Sequence, residues 1–408
     1  MRPLLFALAL GVTLAACVPP TNKQTKGDER QDFTVGKRAW KHLNDAQEAV
    51  GEKKYDEALS ELGEMKERLD RYNLHEQALM WQTYAQIHAA REQLPEAANA
   101  LSEALKTKAL PDAALLETRY NLGQLQLATE HYDEAATTLA GWIAEAKNPT
   151  PEAHYIVAIA LAQAKRFEEA LPQALAAVQA KAEPPEPWMQ LLLAIRFELK
   201  QMDEVLGLLK VLVVRFPQNK TYWLQLAGVY AEQNDDARSL AVLELMYKQD
   251  MLDQPEELRR LAQTYLYREL PVRCIEVIDA ELAKGRLPRD VPTLTLLADA
   301  LTAARDFDRA EATLAEAAAE SDDAKLYLSR GRLLFRRERW PQAITALRTA
   351  IDKGIDRPGD AWLLIGHAQY NRGDLDGASA AFSRAREDPT TRESANNWLK
   401  AIEQQRKQ

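Results

Sequence analysis

The sequence contains little cysteine and little glycine, and both shortages restrict the possible folds. Its only cysteines are Cys17 and Cys274, too few for the disulfide framework that holds many small exported domains together. Only 16 glycines occur among 408 residues, whereas Ala, Leu, Glu, Lys, Arg and Gln are abundant. Because these residues lose little side-chain freedom in a helix, the composition predicts an all-α protein.

The sequence also lacks the motifs that bind metals or phosphates or activate a nucleophile. Its six histidines are scattered, with no His-x-x-x-His pair and no cysteine at metal-ligand spacing: His42, His75, His88, His131, His154 and His367. It contains neither a glycine-rich phosphate loop nor a Gly-x-Ser-x-Gly elbow. We therefore predict a protein that is not an enzyme and has no catalytic residues, no metal and no cofactor.

Basic residues are outnumbered, and long apolar runs are missing. The chain has 52 Lys and Arg against 61 Asp and Glu, a formal net charge of −9, with both signs interspersed. A nucleic-acid-binding protein would need a basic domain or stripe. Beyond the first residues, no apolar run approaches the roughly 20 residues of a membrane-spanning helix. We expect neither a nucleic-acid partner nor a helix that spans a membrane.

The start of the chain has the pattern of an export signal. After the basic Arg2, an apolar run extends from Leu4 to Leu14, which predicts a signal peptide over residues 1–16. The run ends in Leu14-Ala15-Ala16-Cys17, which resembles the lipobox of bacterial lipoproteins. This resemblance implies that Cys17 becomes the lipidated first residue of the mature chain and anchors it to a membrane.

The residues after Cys17 extend this prediction. Val18, rather than Asp, follows the cysteine, and by the resemblance this indicates the periplasmic face of the outer membrane in the cell envelope. Residues 17–34 are polar and include Pro19, Pro20 and Gly27. Because such a segment cannot bury enough apolar surface to order itself, we predict a disordered tether there.

One small residue recurs along the rest of the chain, preceded by an acidic or proline-containing turn. This index residue is Ala58, Ala97, Ala135, Ala170, Val205, Ser239, Cys274, Ala310, Ala343 and Ala378. Successive index residues are 33 to 39 positions apart, close to the period of about 34 residues of the tetratricopeptide repeat. Cys274 occupies a position that is usually Ala, so we interpret it as a small packing residue.

Other positions keep the same register. Twelve residues before the index residue, most side chains are small: Ala46, Ala85, Gly123, Ala158, Leu193, Ala227, Ala262, Ala298, Gly331 and Gly366. Four residues after it, nearly all are large and apolar: Leu62, Leu101, Leu139, Ala174, Leu209, Leu243, Ile278, Leu314, Leu347 and Phe382. Carboxylates and prolines, which favour a helix start, predominate two residues before it: Asp56, Pro95, Asp133, Glu168, Asp203, Ala237, Val272, Asp308, Pro341 and Asp376.

Each period is therefore predicted to be a helical hairpin, and residues 35–388 resemble an array of tetratricopeptide repeats. The resemblance implies an all-α, right-handed superhelical solenoid of about ten hairpins, with the first helix of each lining the concave side. For residues 389–408 we predict a C-terminal capping helix and a polar tail. Trp398, Leu399 and Ile402 would pack this helix against the last hairpin.

We predict that first-helix residues outside the hairpin core form a groove that binds protein partners. Tyr and Arg are prominent among them, and both are enriched at binding hot spots. The candidates are Tyr120, Gln124, Tyr155, Arg259, Gln263, Tyr267, Arg332, Arg336, His367, Tyr370 and Asn371.

The densest charge signal is the run from Ser329 to Trp340, with five arginines in twelve residues. Helical spacing would place Arg332, Arg336 and Arg339 on one face, where they could bind an acidic peptide or a phosphate-bearing headgroup. Alternatively, the run is a solvated face paired with Glu338 and with acids of the neighbouring hairpin. The sequence leaves both interpretations open.

Several phrases in the second half of the chain resemble a narrower group, the envelope tetratricopeptide proteins encoded alongside TonB energy-transduction systems. The phrases are Glu257–Leu266, Ala283-Lys284-Gly285, Trp340-Pro341-Gln342-Ala343, Ile351-Asp352-Lys353-Gly354 and Trp362–Gly366. The resemblance implies an accessory of a TonB-dependent transport system, with TonB-system components as possible partners. The segment Leu270–Cys274 departs from the pattern, and two alternatives stay open: an assembly lipoprotein for type IV pili or outer-membrane proteins, or a regulator of peptidoglycan synthesis.

Overall fold

The computed structural model describes residues 33–406. The predicted signal peptide, Cys17 and most of the predicted tether lie outside the described residues. Residues 33–406 form 21 α-helices and one short 3₁₀ turn, and no strand occurs among them. None of the helices in this range is both long and apolar enough to cross a membrane.

Twenty of the helices pair in chain order into ten antiparallel hairpins, and a last helix follows. The first five hairpins are α1 Lys37–Gly51 with α2 Tyr55–Lys66, α3 Leu74–Ala90 with α4 Leu94–Lys106, α5 Asp112–Ala128 with α6 Tyr132–Glu145, α7 Pro151–Gln163 with α8 Phe167–Gln179, and α9 Glu186–Glu198 with α10 Met202–Arg215. The next five are α11 Lys220–Glu232 with α12 Asp236–Lys248, α13 Pro255–Tyr267 with α14 Pro271–Ala283, α15 Val291–Ala303 with α16 Phe307–Ala319, α17 Ala324–Arg336 with α18 Trp340–Asp352, and α19 Pro358–Asn371 with α20 Leu375–Ala385. The last helix is α21, Arg392–Arg406. The predicted all-α array of about ten hairpins with a C-terminal helix is confirmed.

The described residues divide into two compact units, the first ending at Leu212 and the second beginning at Val213. In the first unit, one apolar cluster fills the first two hairpins and the start of the third, and a second cluster continues through α6 to α9. In the second unit, the largest cluster runs from α11 to α17. At its end, α21 packs on α20 through Ala395, Ile402, Trp398 and Leu399, around the fully buried Phe382.

The residues that define the repeat form the centre of each hairpin. All ten index residues are buried, and none is more than 5% exposed. The residues four positions later are buried as well. The residues two positions before the index residue lie at the second position of each second helix, as predicted from the excess of carboxylates and prolines. Sequence register and helix bounds therefore agree throughout the array.

The small residue twelve positions before the index residue allows the two helices of a hairpin to approach closely. An ideal Cβ at Gly123 would lie 2.5 Å from Cγ of Leu139, and one at Gly366 would lie 2.6 Å from Phe382. At Gly331 the nearest Leu347 side-chain atoms are 2.7 Å away. In each case the partner is the large residue four positions after the index residue. This small–large contact sets the helix separation within a hairpin.

Every hairpin turn contains one residue in the left-handed backbone conformation, five positions before the index residue. It is glycine only in the last hairpin, at Gly373; the others are Lys53, Glu92, Glu130, Lys165, Lys200, Asn234, Glu269, Arg305 and Glu338. In the fourth hairpin, the Lys165 N–H donates to the Ala162 carbonyl at 3.0 Å and the Arg166 N–H donates to the Leu161 carbonyl at 2.8 Å. This is the Schellman arrangement, which satisfies the last carbonyl groups of the first helix. The usual glycine signal for it is absent from nine of the ten turns.

Two glycines of the third hairpin provide a matched test of the small–large contact. We expect Gly123→Ala to lower the free energy of unfolding by about 1–3 kcal/mol, because the new methyl group overlaps Leu139. Gly141, on the partner helix, has nothing within 4 Å of an added Cβ. Gly141→Ala should therefore raise stability by roughly 0.5–1 kcal/mol through helix propensity alone. Urea unfolding followed by circular dichroism would measure both changes, and a stabilising Gly123→Ala would contradict the close-contact interpretation.

Candidate partner-binding surface

All eleven groove candidates lie on the first helices of hairpins. Tyr120 and Gln124 lie on α5 and Tyr155 on α7, within the first unit. The other eight lie on α13, α17 and α19 of the second unit. Five of the eleven are exposed, namely Gln263, Tyr267, Arg332, Arg336 and Asn371, and six are partly buried. Whether they bind a partner stays a prediction.

In the first unit, the two candidate tyrosines pack against tryptophans of a neighbouring helix. The ring centroids of Tyr120 and Trp142 are 4.4 Å apart, and those of Tyr155 and Trp188 are 5.3 Å apart. Burial raises the pKa of Tyr155 to about 12, so its hydroxyl is protonated at any physiological pH. The packing fixes the orientation of both rings, which would lower the entropy cost of binding a partner.

On α13, only part of the candidate set is open to solvent. Arg259 donates to Asp290 and Thr293 at the start of α15, at 3.3 and 3.1 Å, and to Glu256 at 3.0 Å. Its guanidinium therefore joins two successive first helices. Gln263 and Tyr267 follow at four-residue steps on α13 and are exposed, Tyr267 by 74%. An exposed tyrosine offers a partner both the apolar surface of its ring and a hydroxyl that can form hydrogen bonds.

The arginine-rich run divides into a paired part and an exposed part. Arg337 contacts Asp308 at 2.6 Å, and Arg339 contacts Glu311 at 2.7 Å, both acids of α16. Arg332 and Arg336 are exposed on α17, and no ion pair with either is found among residues 33–406. The pairs match the predicted contact with acids of the neighbouring hairpin, but no ion pair with Glu338 is found among residues 33–406. Binding of a partner by Arg332 and Arg336 stays a prediction.

The structure corrects one detail of the predicted arginine face. We expected Arg332, Arg336 and Arg339 at helical i, i+4, i+7 spacing. However, α17 ends at Arg336, Glu338 is left-handed, and Arg339 is the N-cap of α18. The helix ends at Arg336 because the hairpin turn begins there, and Arg339 contacts α16 instead. Only Arg332 and Arg336 therefore remain on the exposed face of α17.

On α19, two of the three candidates are covered in part by the C-terminal helix. The ring centroids of His367 and Tyr370 lie 4.8 and 5.1 Å from that of Trp398 in α21. Burial lowers the pKa of His367, which favours its neutral form. Only Asn371 is exposed. No local sequence pattern indicates that the docked helix reaches these positions.

The buried thiol of Cys274 matches the packing interpretation. Its side chain is fully buried at the index position of α14, and burial, together with the charge of Asp299, raises its pKa to about 12. A protonated, inaccessible thiol is a poor nucleophile. Among residues 33–406, no group of three or more His, Cys, Asp or Glu residues is arranged to hold a metal ion.

One charged residue of the second unit is fully buried. Glu281 of α14 accepts hydrogen bonds from the Tyr247 hydroxyl at 2.7 Å, from Lys284 Nζ at 2.8 Å and from Arg286 Nε. Burial alone would raise the pKa of Glu281, but these hydrogen bonds outweigh burial and lower it from 4.5 to about 2. Arg286 also binds Asp250, just after α12. The network therefore joins two hairpins and has a structural role.

A surface at the start of the array lies outside the predicted groove. Lys37, Arg38, Trp40 and Lys41 are all exposed on the first turns of α1. Basic residues oppose the dipole at a helix N-terminus, and this mismatch was a signal available in the sequence.

The fold and these surfaces define a helical-repeat protein, a class that works through its exposed helix faces. The family model of the tetratricopeptide repeat matches residues 120–187, 295–358 and 328–391. The chain thus contains tetratricopeptide repeats. The matched segments cover less than half of the sequence, and the other hairpins keep the same register of buried positions.

Solved structures with similar folds are distant in sequence. A tetratricopeptide repeat protein from Parabacteroides merdae is 16% identical, with a TM-score of 0.36, over 62% of this chain and 98% of its own. MamA is 23% identical, with a TM-score of 0.36, over 40% and 93%. The Naa15/Naa10 complex bound to HypK is 14% identical, with a TM-score of 0.48, over 90% and 67%. No curated protein sequence matches this chain. None of these likenesses supports a statement about function.

We expect the buried Glu281 network to make the second unit acid-sensitive. Because folding lowers the pKa of Glu281, its contribution to stability is complete above about pH 4.5 and is lost as the pH falls toward about 2. Glu281→Gln should lower the free energy of unfolding by about 2–4 kcal/mol near neutral pH. The difference from the unchanged protein should shrink as the pH falls.

The control for this prediction lies on the same helix. Glu276 is exposed and pairs with Arg273 at 2.9 Å, so Glu276→Gln should change stability by less than about 1 kcal/mol. Urea midpoints measured at several pH values would separate the two variants. Equal effects of both variants, or a Glu281→Gln effect that does not depend on pH, would count against the network.

Proposed function

We propose that this chain is a non-catalytic scaffold that binds protein partners through the exposed faces of its first helices. The observation that carries the proposal is the pair Arg332 and Arg336. Both side chains are exposed and one helical turn apart on α17, whereas the arginines beside them are paired with Asp308 and Glu311. Two unpaired guanidinium groups on one helix face can bind carboxylates with two hydrogen bonds each.

Neighbouring side chains support the same use of this surface. The Phe335 ring lies between the two arginines in sequence, partly buried, 6.4 Å from the ring of His367 on α19. Gln263, Tyr267 and Asn371 are exposed at equivalent faces of other hairpins in the second unit. A partner segment with acidic residues beside apolar ones would match this combination of charge and ring surface.

We further propose that the scaffold is held at the bacterial envelope and is an accessory of a TonB-dependent transport system. The support is in the sequence: the lipobox-like Leu14–Cys17, Val18 after it, and the phrases that resemble tetratricopeptide proteins of TonB systems. On this proposal, lipid on Cys17 holds the chain at the periplasmic face of the outer membrane, and the hairpins bind TonB-system components.

Crosslinking in cells followed by mass spectrometry tests the partner and the surface together. We expect crosslinks from the unchanged protein to TonB-system or outer-membrane transporter peptides. The double variant R332E/R336E should lose most of these crosslinks, because it replaces two cations with two anions at the proposed contact. Crosslinks to pilus-assembly or peptidoglycan-synthesis proteins instead would overturn the assignment to TonB systems.

A matched control variant is available on the second helices. Arg348 of α18 and Arg386 after α20 are exposed and outside the first-helix faces. R348E/R386E makes the same change in net charge as R332E/R336E. The control should keep its crosslinks, and an equal loss in both variants would show that net charge, rather than the α17 face, governs binding.

A further inference from the structure

The start of the first hairpin combines exposed aromatic and basic side chains. Trp40 is 56% exposed, and Phe33 and Leu74 are 38% and 56% exposed. Lys37, Arg38 and Lys41 lie within three residues of Trp40 on α1 and are exposed as well. No ion pair with these three basic residues occurs among residues 33–406. This set is called the N-terminal patch below.

The N-terminal patch is a fixed surface, because the segment before α1 is held against the start of α3. The Gly36 N–H donates to Glu76 Oε1 at 2.7 Å, and the Asn73 side-chain amide donates to the Thr34 carbonyl at 3.1 Å. The Phe33 ring packs edge-on against His75, with centroids 5.3 Å apart. These contacts hold Phe33 against the first turn of α3, which begins at Leu74.

Helix stability does not explain the residues of the N-terminal patch. The first turn of α1 contains no acidic residue, whereas positive charges there oppose the partial positive charge of a helix N-terminus. Burial does not explain Trp40 either, since more than half of its side chain contacts solvent. Residues that are costly for folding and exposed at a rigid end of a protein indicate a contact with something else.

We propose that the N-terminal patch docks on an anionic lipid bilayer. Tryptophan is favoured at the membrane–water interface, where its ring lies among the headgroups. Lysine and arginine beside it bind anionic headgroups and extend their charged ends toward water. The N-terminal patch supplies both kinds of side chain within five residues of one helix, Lys37–Lys41.

The position of the N-terminal patch in the chain supports a membrane rather than a protein as the occupant. Cys17, the predicted lipid attachment site, lies only sixteen residues before Phe33. A chain of this length, behaving as the predicted tether, would span on the order of 20 Å. The first hairpin is then the part of the array nearest to the bilayer. This inference rests on the proposed envelope anchoring but is independent of the protein partner.

Vesicle flotation tests the proposal without the lipid anchor. The protein used is the chain without residues 1–16 and with Cys17→Ser, which keeps every described helix. We expect it to float with vesicles of phosphatidylcholine mixed with phosphatidylglycerol, and to float far less with phosphatidylcholine alone. K37E/R38E should weaken binding by about tenfold or more, because each basic contact near an anionic surface contributes substantially.

Two further variants separate docking from general effects. R348E/R386E makes the same change in net charge at two exposed arginines outside both proposed surfaces and should bind the vesicles as the parent does. Trp40→Ala should also weaken binding, because it removes the interfacial ring. K37E/R38E adds acids at a helix start and should not lower the thermal midpoint, so its loss of binding cannot come from unfolding.

The outcomes distinguish this inference from the proposed function. Loss of binding in K37E/R38E and Trp40→Ala, with binding kept in R348E/R386E, supports docking through the N-terminal patch. Failure of the parent to float with anionic vesicles, or equal losses in K37E/R38E and R348E/R386E, overturns it. Because the vesicles contain no protein, neither result depends on whether TonB-system components are the partners.

Discussion

The array depends on one close contact, between a small residue on the first helix of each hairpin and a large residue on the second. Gly123 against Leu139 and Gly366 against Phe382 leave no room for even one added carbon. Elsewhere in the array the small residue is mostly alanine, and the large one is fully or almost fully buried. Because the two helices can approach closely only there, the contact fixes which faces are buried and which remain for partners.

The same contact imposes the hairpin turn. To return the chain antiparallel at that separation, the first helix must stop within one residue of a fixed position, and the chain must then pass through a left-handed conformation. The cost of this conformation for a residue with a side chain is roughly 1–2 kcal/mol, yet nine of the ten turns accept it. The hydrogen bonds that cap the helix and the burial of the hairpin core outweigh this local preference.

Charged residues serve two different purposes in this protein. Arg259, Arg337 and Arg339 pair with acids of a neighbouring helix, and Glu281 is buried within a network that joins two hairpins. These charges fix successive hairpins relative to each other within a unit. Arg332 and Arg336 at α17, and Lys37, Arg38 and Lys41 at α1, have no such partners among the described residues. We propose that these two surfaces, whose charge is unpaired, contact other molecules.

The sequence alone determined the hairpins, because their signals are local and repeated ten times. Index residues such as Ala58 and Cys274 keep a constant distance from small, large and acidic positions, and helix periodicity converts that spacing into a buried face. The all-α class, the number of hairpins and the docking of the last helix through Trp398 could all be predicted in this way. The packing role of Cys274 followed from the same register.

Only the tertiary structure decided which of the predicted groove side chains are open to solvent. Arg339 leaves the predicted face because α17 stops at Arg336, and His367 is partly covered because α21 folds back over it. The pairing of Arg259 with Asp290 depends on residues 31 positions apart that meet only when successive hairpins stack. Periodicity in the sequence predicts which face of a helix is buried. Ion pairs, and the burial of a side chain by another helix, depend on residues distant in sequence, whose positions no local pattern predicts.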